Sequence, residues 1–148
     1  MAETIAAQRV PIVEGLFAET PEGPRLLGSK CEACGQHYFP RVPRCVNPRC
    51  RSASIAKVTL GPSGTLYSYT VQHYEPPPPV IFDKPFKPYA VGLVELSVGV
   101  RVAGMLKLDD LSSITIGMPL ELVIDRMATN AEGKDVTTWK FAPAGGGQ

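Results

Sequence analysis

The spacing of apolar and polar positions divides the chain into two unlike parts. After residue 57 the spacing has a period of two. In residues 100–108, Val100, Val102, Gly104, Leu106 and Leu108 alternate with Arg101, Ala103, Met105 and Lys107. This is the pattern of a strand with one buried face. In residues 119–127, Leu120, Leu122 and Ile124 are set against Glu121, Val123 and Asp125. Segments 64–74 (GTLYSYTVQHY), 89–97 (YAVGLVELS) and 135–142 (DVTTWKFA) are rich in β-branched and aromatic residues and predict three more strands. Val98-Gly99 and Glu132-Gly133 are turn signals between them. Residues 109–114 (DDLSSI) predict one helical turn with Asp109 as its N-cap. Five strands with no long helix between them favour a small, partly open barrel of the OB type over a sandwich.

The first part has no such regularity. Residues 5–18 (IAAQRVPIVEGLFA) predict a short helix, although Pro11 and Gly15 interrupt it. Residues 19–28 (ETPEGPRLLG) read as a turn-rich lead-in, and the final AGGGQ reads as a disordered tail. The expected fold is therefore mainly β. It comprises an N-terminal helical and turn segment (1–28), a rubredoxin-like zinc ribbon (29–57), a five-stranded OB barrel (58–143) and the tail (144–148).

The ribbon is expected because all four cysteines lie in residues 31–50, as CEACG and CVNPRC. Two close pairs separated by a short hairpin can converge on one tetrahedral ion. Gly35 lets the first knuckle turn, and Pro48 presets a turn in the wider second pair. Cys31, Cys34, Cys45 and Cys50 are the expected ligands of a structural Zn²⁺. Four sulfurs close the coordination shell and leave no place for a catalytic water. An iron centre or a redox dithiol fits less well, since no βαβ pattern surrounds CEAC. His37 is expected to face solvent rather than the metal.

Charge separates the two parts as well. Residues 30–57 hold six basic side chains (Lys30, Arg41, Arg44, Arg49, Arg51, Lys57) against Glu32. They either offset the excess negative charge of a four-thiolate zinc or contact phosphates of a nucleic acid or of coenzyme A. Tyr38 could stack on a base, whereas Phe39 is the better candidate for a plug beneath the ribbon. The barrel segment 58–142 holds seven basic and nine acidic residues, which disfavours a nucleic-acid surface. The formal net charge of the whole chain is +1. A zinc bound by four thiolates changes that by −2, to −1.

Residues 75–88 (EPPPPVIFDKPFKP) form a stiff, proline-rich loop between the first two barrel strands. Its Pro78, Val80, Ile81, Phe82 and Phe86 either pack on the barrel or dock a partner protein. Tyr67, Tyr69 and Tyr74 are expected on the barrel face. No nucleophile–base motif, phosphate loop or dinucleotide fingerprint occurs in the sequence. No secretory signal or membrane-length apolar run occurs either, so the expected compartment is a reducing cytoplasm.

CEACGQHYFPRVPRC with VNPRC resembles the zinc ribbon of a bacterial and archaeal family first labelled domain of unknown function 35. GPSGTLYSYTVQHY, KPYAVGLVELSVGVRVAGML, IGMPLELVIDR and WKFAP follow in the family's order, so the likeness runs from about residue 10 to residue 143. The wide CVNPRC pair departs from the family's usual two-residue second knuckle. The resemblance implies a ribbon followed by an OB barrel in a non-catalytic small subunit of an acyl-CoA enzyme. Family members serve thiolases, steroid side-chain hydratases and aldolases. The implied partner is a thiolase-fold catalytic subunit in a hetero-oligomer, a heterotetramer as in degradative β-oxoacyl-CoA thiolysis. Benzoylsuccinyl-CoA thiolase of aromatic compound breakdown is the nearest such case. In that setting the ribbon's Tyr38, Arg41, Arg44, Arg49 and Arg51 become candidate coenzyme A contacts. The proline-rich loop becomes the docking element.

Overall fold

A computed structural model of the protein describes residues 9–144. Its strands are β1 (Arg9–Pro11), β2 (Phe17–Thr20), β3 (Gly23–Cys31), β4 (His37–Tyr38), β5 (Ile55–Leu60), β6 (Ser63–Gln72), β7 (Tyr89–Leu96), β8 (Arg101–Leu106), β9 (Pro119–Thr129) and β10 (Asp135–Pro143).

The period-two segments form the barrel. β6, β7 and β8 are antiparallel neighbours. β8 then runs parallel to β10, β10 pairs antiparallel with β9, and β9 returns to β6. In β7, Ala90, Gly92, Val94 and Leu96 are buried and alternate with half-buried Tyr89, Val91, Leu93 and Glu95. One side of the pleat therefore fills the interior. Leu66, Val94, Leu96, Val102, Leu106, Leu120, Leu122 and Phe141 pack there with almost no exposure. A Cβ on Gly104 would lie 2.9 Å from the Phe141 ring, so the Phe141 side chain occupies the space that only glycine leaves.

The ring of strands closes with its shortest seam between β8 and β10. β8 and β10 share only the pairs Met105–Lys140 and Leu106–Phe141. The first residues of β10 instead pair parallel with β1, from Arg9–Asp135 to Pro11–Thr137. Trp139 adds a side-chain link at this seam, its indole N–H donating to the Ala103 carbonyl at 3.0 Å.

A second sheet is built around β3. Leu26 pairs with both Phe17 of β2 and Leu60 of β5, and Ser29 pairs with both Tyr38 of β4 and Lys57 of β5. β2 and β4 thus share one edge of β3, and β5 takes the other. Leu26 and Leu60 reach into the barrel's own apolar cluster. Phe17 and Phe39 meet the Trp139 ring edge-on, with centroids 5.8 and 5.6 Å away. Phe39 is therefore the plug expected beneath the ribbon.

The N-terminal helix is not present among the described residues. Residues 9–18 contain β1, a turn at Gly15 (φ 85°), and the start of β2. Pro11 has no amide to give a helix, and the apolar residues here find partners in β10 and β3 rather than along one helical face. Residues 5–8 of that expected helix lie outside the described residues. The lead-in 19–28 is a turn only at Pro21 and Glu22, and from Gly23 onward it is strand β3. The helical turn expected at 109–114 is a 3-10 turn, Leu111–Ser113. Its cap is Asp110 rather than Asp109, with Asp110 Oδ1 accepting from the Ser112 amide at 2.9 Å. Of the expected tail, Ala144 donates its amide to the Pro119 carbonyl at 3.1 Å, and 145–148 lie outside the described residues.

Candidate metal centre

The four cysteines arrive from three directions. β3 delivers Cys31 at its last residue, and the turn that follows brings Cys34 back beside it. Here the Gly35 amide donates to the Cys31 carbonyl at 2.8 Å and the Cys34 amide points to Cys31 Sγ at 3.5 Å. Gly35 has φ 82°, a conformation that suits glycine. The chain then passes through β4 and returns with Cys45 and Cys50. The wider second pair is closed by Asn47. Its carbonyl accepts from the amides of Cys50 (2.9 Å) and Arg51 (3.0 Å), and its side chain accepts from the Arg49 amide at 3.0 Å. Pro48 occupies the second position of that turn, where a fixed φ helps. Arg51 follows Cys50 as Gly35 follows Cys34, and it too has a positive φ, of 57°.

All four Sγ atoms lie within 4.8 Å of one another. Cys31 and Cys50 sulfurs are 3.6 Å apart, and those of Cys34 and Cys45 are 3.7 Å apart. Sulfurs at the corners of a tetrahedron with metal bonds of about 2.3 Å are separated by about 3.8 Å. The donor set and its dimensions fit Zn²⁺. Cys31 and Cys45 are buried, Cys50 is half-buried and Cys34 is exposed. His37 stands apart from this group, paired through its backbone with Lys30.

Tyr38 turns inward. Its hydroxyl lies 3.0 Å from Cys45 Sγ and accepts a hydrogen bond from the Val46 amide at 3.3 Å. This hydroxyl, opposed by burial and aided by the Asn47 amide, lowers the Cys45 thiol to about 6. Cys31 is also lowered, chiefly by the Cys34 amide. These two shifts favour the thiolate that a metal needs, whereas Cys50, despite the Ser52 amide, is pushed up to about 11 by burial and by the neighbouring sulfurs.

The arginines are not equivalent. Arg41 Nε donates to the Gly28 carbonyl at 2.8 Å and ties the hairpin to β3. Arg44 Nη1 donates to the Arg51 carbonyl at 2.9 Å and braces the second knuckle. Arg49 and Arg51 are exposed, and their guanidinium groups make no hydrogen bond among the described residues.

Comparison with known proteins follows this division. A family model described as "ChsH2, rubredoxin-like zinc ribbon domain" matches residues 23–56, and "ChsH2, C-terminal OB-fold domain" matches residues 57–125. A DUF35 domain-containing scaffold protein of Methanocaldococcus jannaschii is 32% identical over 120 residues, covering 80% of this chain and 81% of its own. The chain belongs to the DUF35 family.

Other similar proteins carry more specific names. A probable enoyl-CoA hydratase alpha subunit of Thermomonospora curvata is 36% identical over 81% of this chain, which corresponds to 34% of its own length. The benzoylsuccinyl-CoA thiolase subunit BbsA of Thauera aromatica is 28% identical over 80% of this chain and 76% of its own. A solved chain of the Ltp2-ChsH2(DUF35) aldolase superposes with a TM-score of 0.60 at 36% identity, covering 81% of this chain and 85% of that one.

In this DUF35 chain the proline-rich loop is fastened to the barrel at several points. Phe82, Phe86 and Tyr89 form an aromatic trio with centroids 5.0–6.0 Å apart. Asp83 accepts from Arg126 Nη1 at 2.6 Å and Nη2 at 3.1 Å, and Lys84 pairs with Glu75. Ile81, Phe82 and Phe86 are half-buried, while Pro78 and Val80 are exposed. Beneath the loop a cleft of about 240 Å³ is lined by Val80, Phe82, Tyr89, Met105, Met127 and Trp139, among others. Tyr67 and Tyr69 are exposed on β6, as expected for barrel-face residues, whereas Tyr74 is exposed in the loop after β6; Arg101 stacks 3.8 Å above the Tyr67 ring. No helix among the described residues is long and apolar enough to cross a membrane.

Sequence reasoning placed the ligands but not the roles of Tyr38, Asn47 and Arg126. For Tyr38 a signal was present. In a strand reading Tyr38-Phe39, neighbours point to opposite faces. If Phe39 faces the barrel, Tyr38 must face the cysteines.

Proposed function

We propose that the chain is a non-catalytic, zinc-binding accessory subunit of a thiolase-type acyl-CoA enzyme complex. One observation carries this reading. The likeness to the benzoylsuccinyl-CoA thiolase subunit BbsA extends over 80% of this chain, enough to take in ribbon and barrel together. The internal chemistry agrees with it. The four thiols are committed to one metal site, and the barrel interior is packed with side chains such as Phe141 and Leu66 rather than left open for a substrate. In this reading the partner supplies the nucleophile and performs β-oxoacyl-CoA thiolysis. This chain supplies a docking surface that includes the exposed Pro78 and Val80. The exposed guanidinium groups of Arg49 and Arg51, with Arg44 beside them, reach the coenzyme A phosphates. The assembly is a heterotetramer with two copies of each chain.

A hydratase or aldolase partner is the second reading. The relatives bearing those names are 36% identical, against 28% for the thiolase subunit.

Co-expression with a thiolase-type chain encoded nearby tests the proposal. The expected result is a stable hetero-oligomer in which activity needs both chains. Assays with a β-oxoacyl-CoA plus free coenzyme A, and with an aldol-type acyl-CoA, separate the two readings. A catalytic chain that is fully active alone overturns both. Within an active complex, Arg49→Ala with Arg51→Gly should raise KM for the coenzyme A substrate and leave kcat unchanged, the mark of lost uniform binding.

A further inference from the structure

The dipeptide Tyr38-Phe39 touches both halves of the molecule. Tyr38 presents its hydroxyl to Cys45 Sγ at 3.0 Å. The next residue, Phe39, lies edge-on to Trp139 with centroids 5.6 Å apart. Trp139 in turn links β10 to β8 at the barrel's shortest seam through its bond to the Ala103 carbonyl. A continuous line of contacts runs from a metal-site sulfur to the β8–β10 seam.

We propose that Tyr38 is the positioning residue of the metal centre, and that Tyr38-Phe39 transmits metal occupancy to the barrel through Trp139. The direction of the Tyr38 hydrogen bond follows from the chemistry. A metal-bound thiolate can only accept, and the Tyr38 oxygen already accepts from the Val46 amide, so its own proton goes to sulfur. The bond fixes the Tyr38 ring against the cluster. Phe39 is the next residue after β4 ends at Tyr38, so fixing the Tyr38 ring also restricts where Phe39 lies against Trp139. The arginines do not duplicate this role. Arg41 and Arg44 each bond a backbone carbonyl, and among the described residues Tyr38 is the side chain, other than the cysteines, within hydrogen-bond distance of Cys45 Sγ.

The chain carries its own reporter, since Trp139 is its one tryptophan. The test uses the full chain loaded with zinc or with Co²⁺. In Tyr38→Phe the ring remains and the donor is lost. Metal retention against a chelator should then weaken by about tenfold. The sulfur-to-Co²⁺ charge-transfer band should move to longer wavelength, because the Cys45 thiolate becomes a stronger electron donor. In the unaltered protein, stripping the metal should shift Trp139 emission. In Phe39→Ala that emission response should shrink while the Co²⁺ band stays in place. Unchanged band and retention in Tyr38→Phe overturn the role of Tyr38. Complete metal removal from the unaltered chain without any change in Trp139 emission overturns the transmission, and this measurement holds even where a variant fails to fold.

Discussion

The ribbon and the barrel solve the same problem by different means. Each must offset the conformational entropy lost on ordering its chain. The barrel does so with apolar side chains, Leu66, Val94, Leu120, Leu122 and Phe141 among them, each nearly or fully removed from solvent. Between residues 29 and 57 the buried side chains are Ser29, Cys31 and Cys45. That segment has no apolar core of its own, and the metal takes the place of one. A module of this kind folds when its ion binds, whereas the barrel folds when its surface is buried.

The sharpest way to break the comparison is to remove a ligand. Cys31→Ser should abolish metal retention and unfold the segment 31–54. About 10 kcal/mol of metal-binding free energy is at stake, the scale found for structural zinc in small modules. Metal analysis with amide exchange checks this, and the barrel amides should stay protected. The converse change is Phe141→Ala, which should cost the barrel about 3–5 kcal/mol in urea unfolding. Below its transition the protein should keep its metal.

Smaller changes sharpen the contrast. Asp83 is held below the ordinary carboxylate range chiefly by the hydrogen bonds from Arg126. A depressed carboxyl stabilises above its unfolded value, near 3.9, and that contribution disappears as pH falls through the folded one. Both side chains are well exposed, so Asp83→Asn should cost about 0.5 kcal/mol. Proteolysis of the 73–88 loop should quicken, and its acid dependence should flatten. The smallest effect is expected at Arg51, where a branched-free glycine suits φ 57° better than arginine does. Arg51→Gly should leave stability unchanged or raise it by about 0.5 kcal/mol, measured as the chelator-resistant melting point.

The same contrast explains what the sequence revealed. The barrel strands were legible because a half-buried strand must alternate, and the observed strands at Ser63–Gln72, Tyr89–Leu96, Arg101–Leu106, Pro119–Thr129 and Asp135–Pro143 follow the expected ones closely. The metal ligands were legible because thiol spacing is itself the chemistry. β1 and β2 were not, because short strands acquire their identity from distant partners. Val10 pairs with Val136, and nothing within residues 5–18 announces that. β3 was hidden by its first residues, Gly23 and Pro24, which look like a turn until Glu19 and Thr20 are found opposite them. Tyr38 was assigned outward because its aromatic ring and basic neighbours suggested a stacking surface. Only the position of Cys45 shows the hydroxyl's partner.

The pairing of β1 with β10 has a consequence for synthesis. The four cysteines span residues 31–50, so a nascent chain can gather them while the barrel is still in the ribosome. β10 is the strand that joins β8, β9 and β1, and it carries Trp139 and Phe141. Until residues 135–143 emerge, Phe17 and Phe39 have no Trp139 to cover them, and the barrel interior lacks its largest side chain. An unfinished chain is therefore a loaded ribbon attached to a sticky, open sheet. The last strand is what covers these aromatic faces, and a chain without it exposes the kind of apolar surface that makes folding intermediates prone to aggregate.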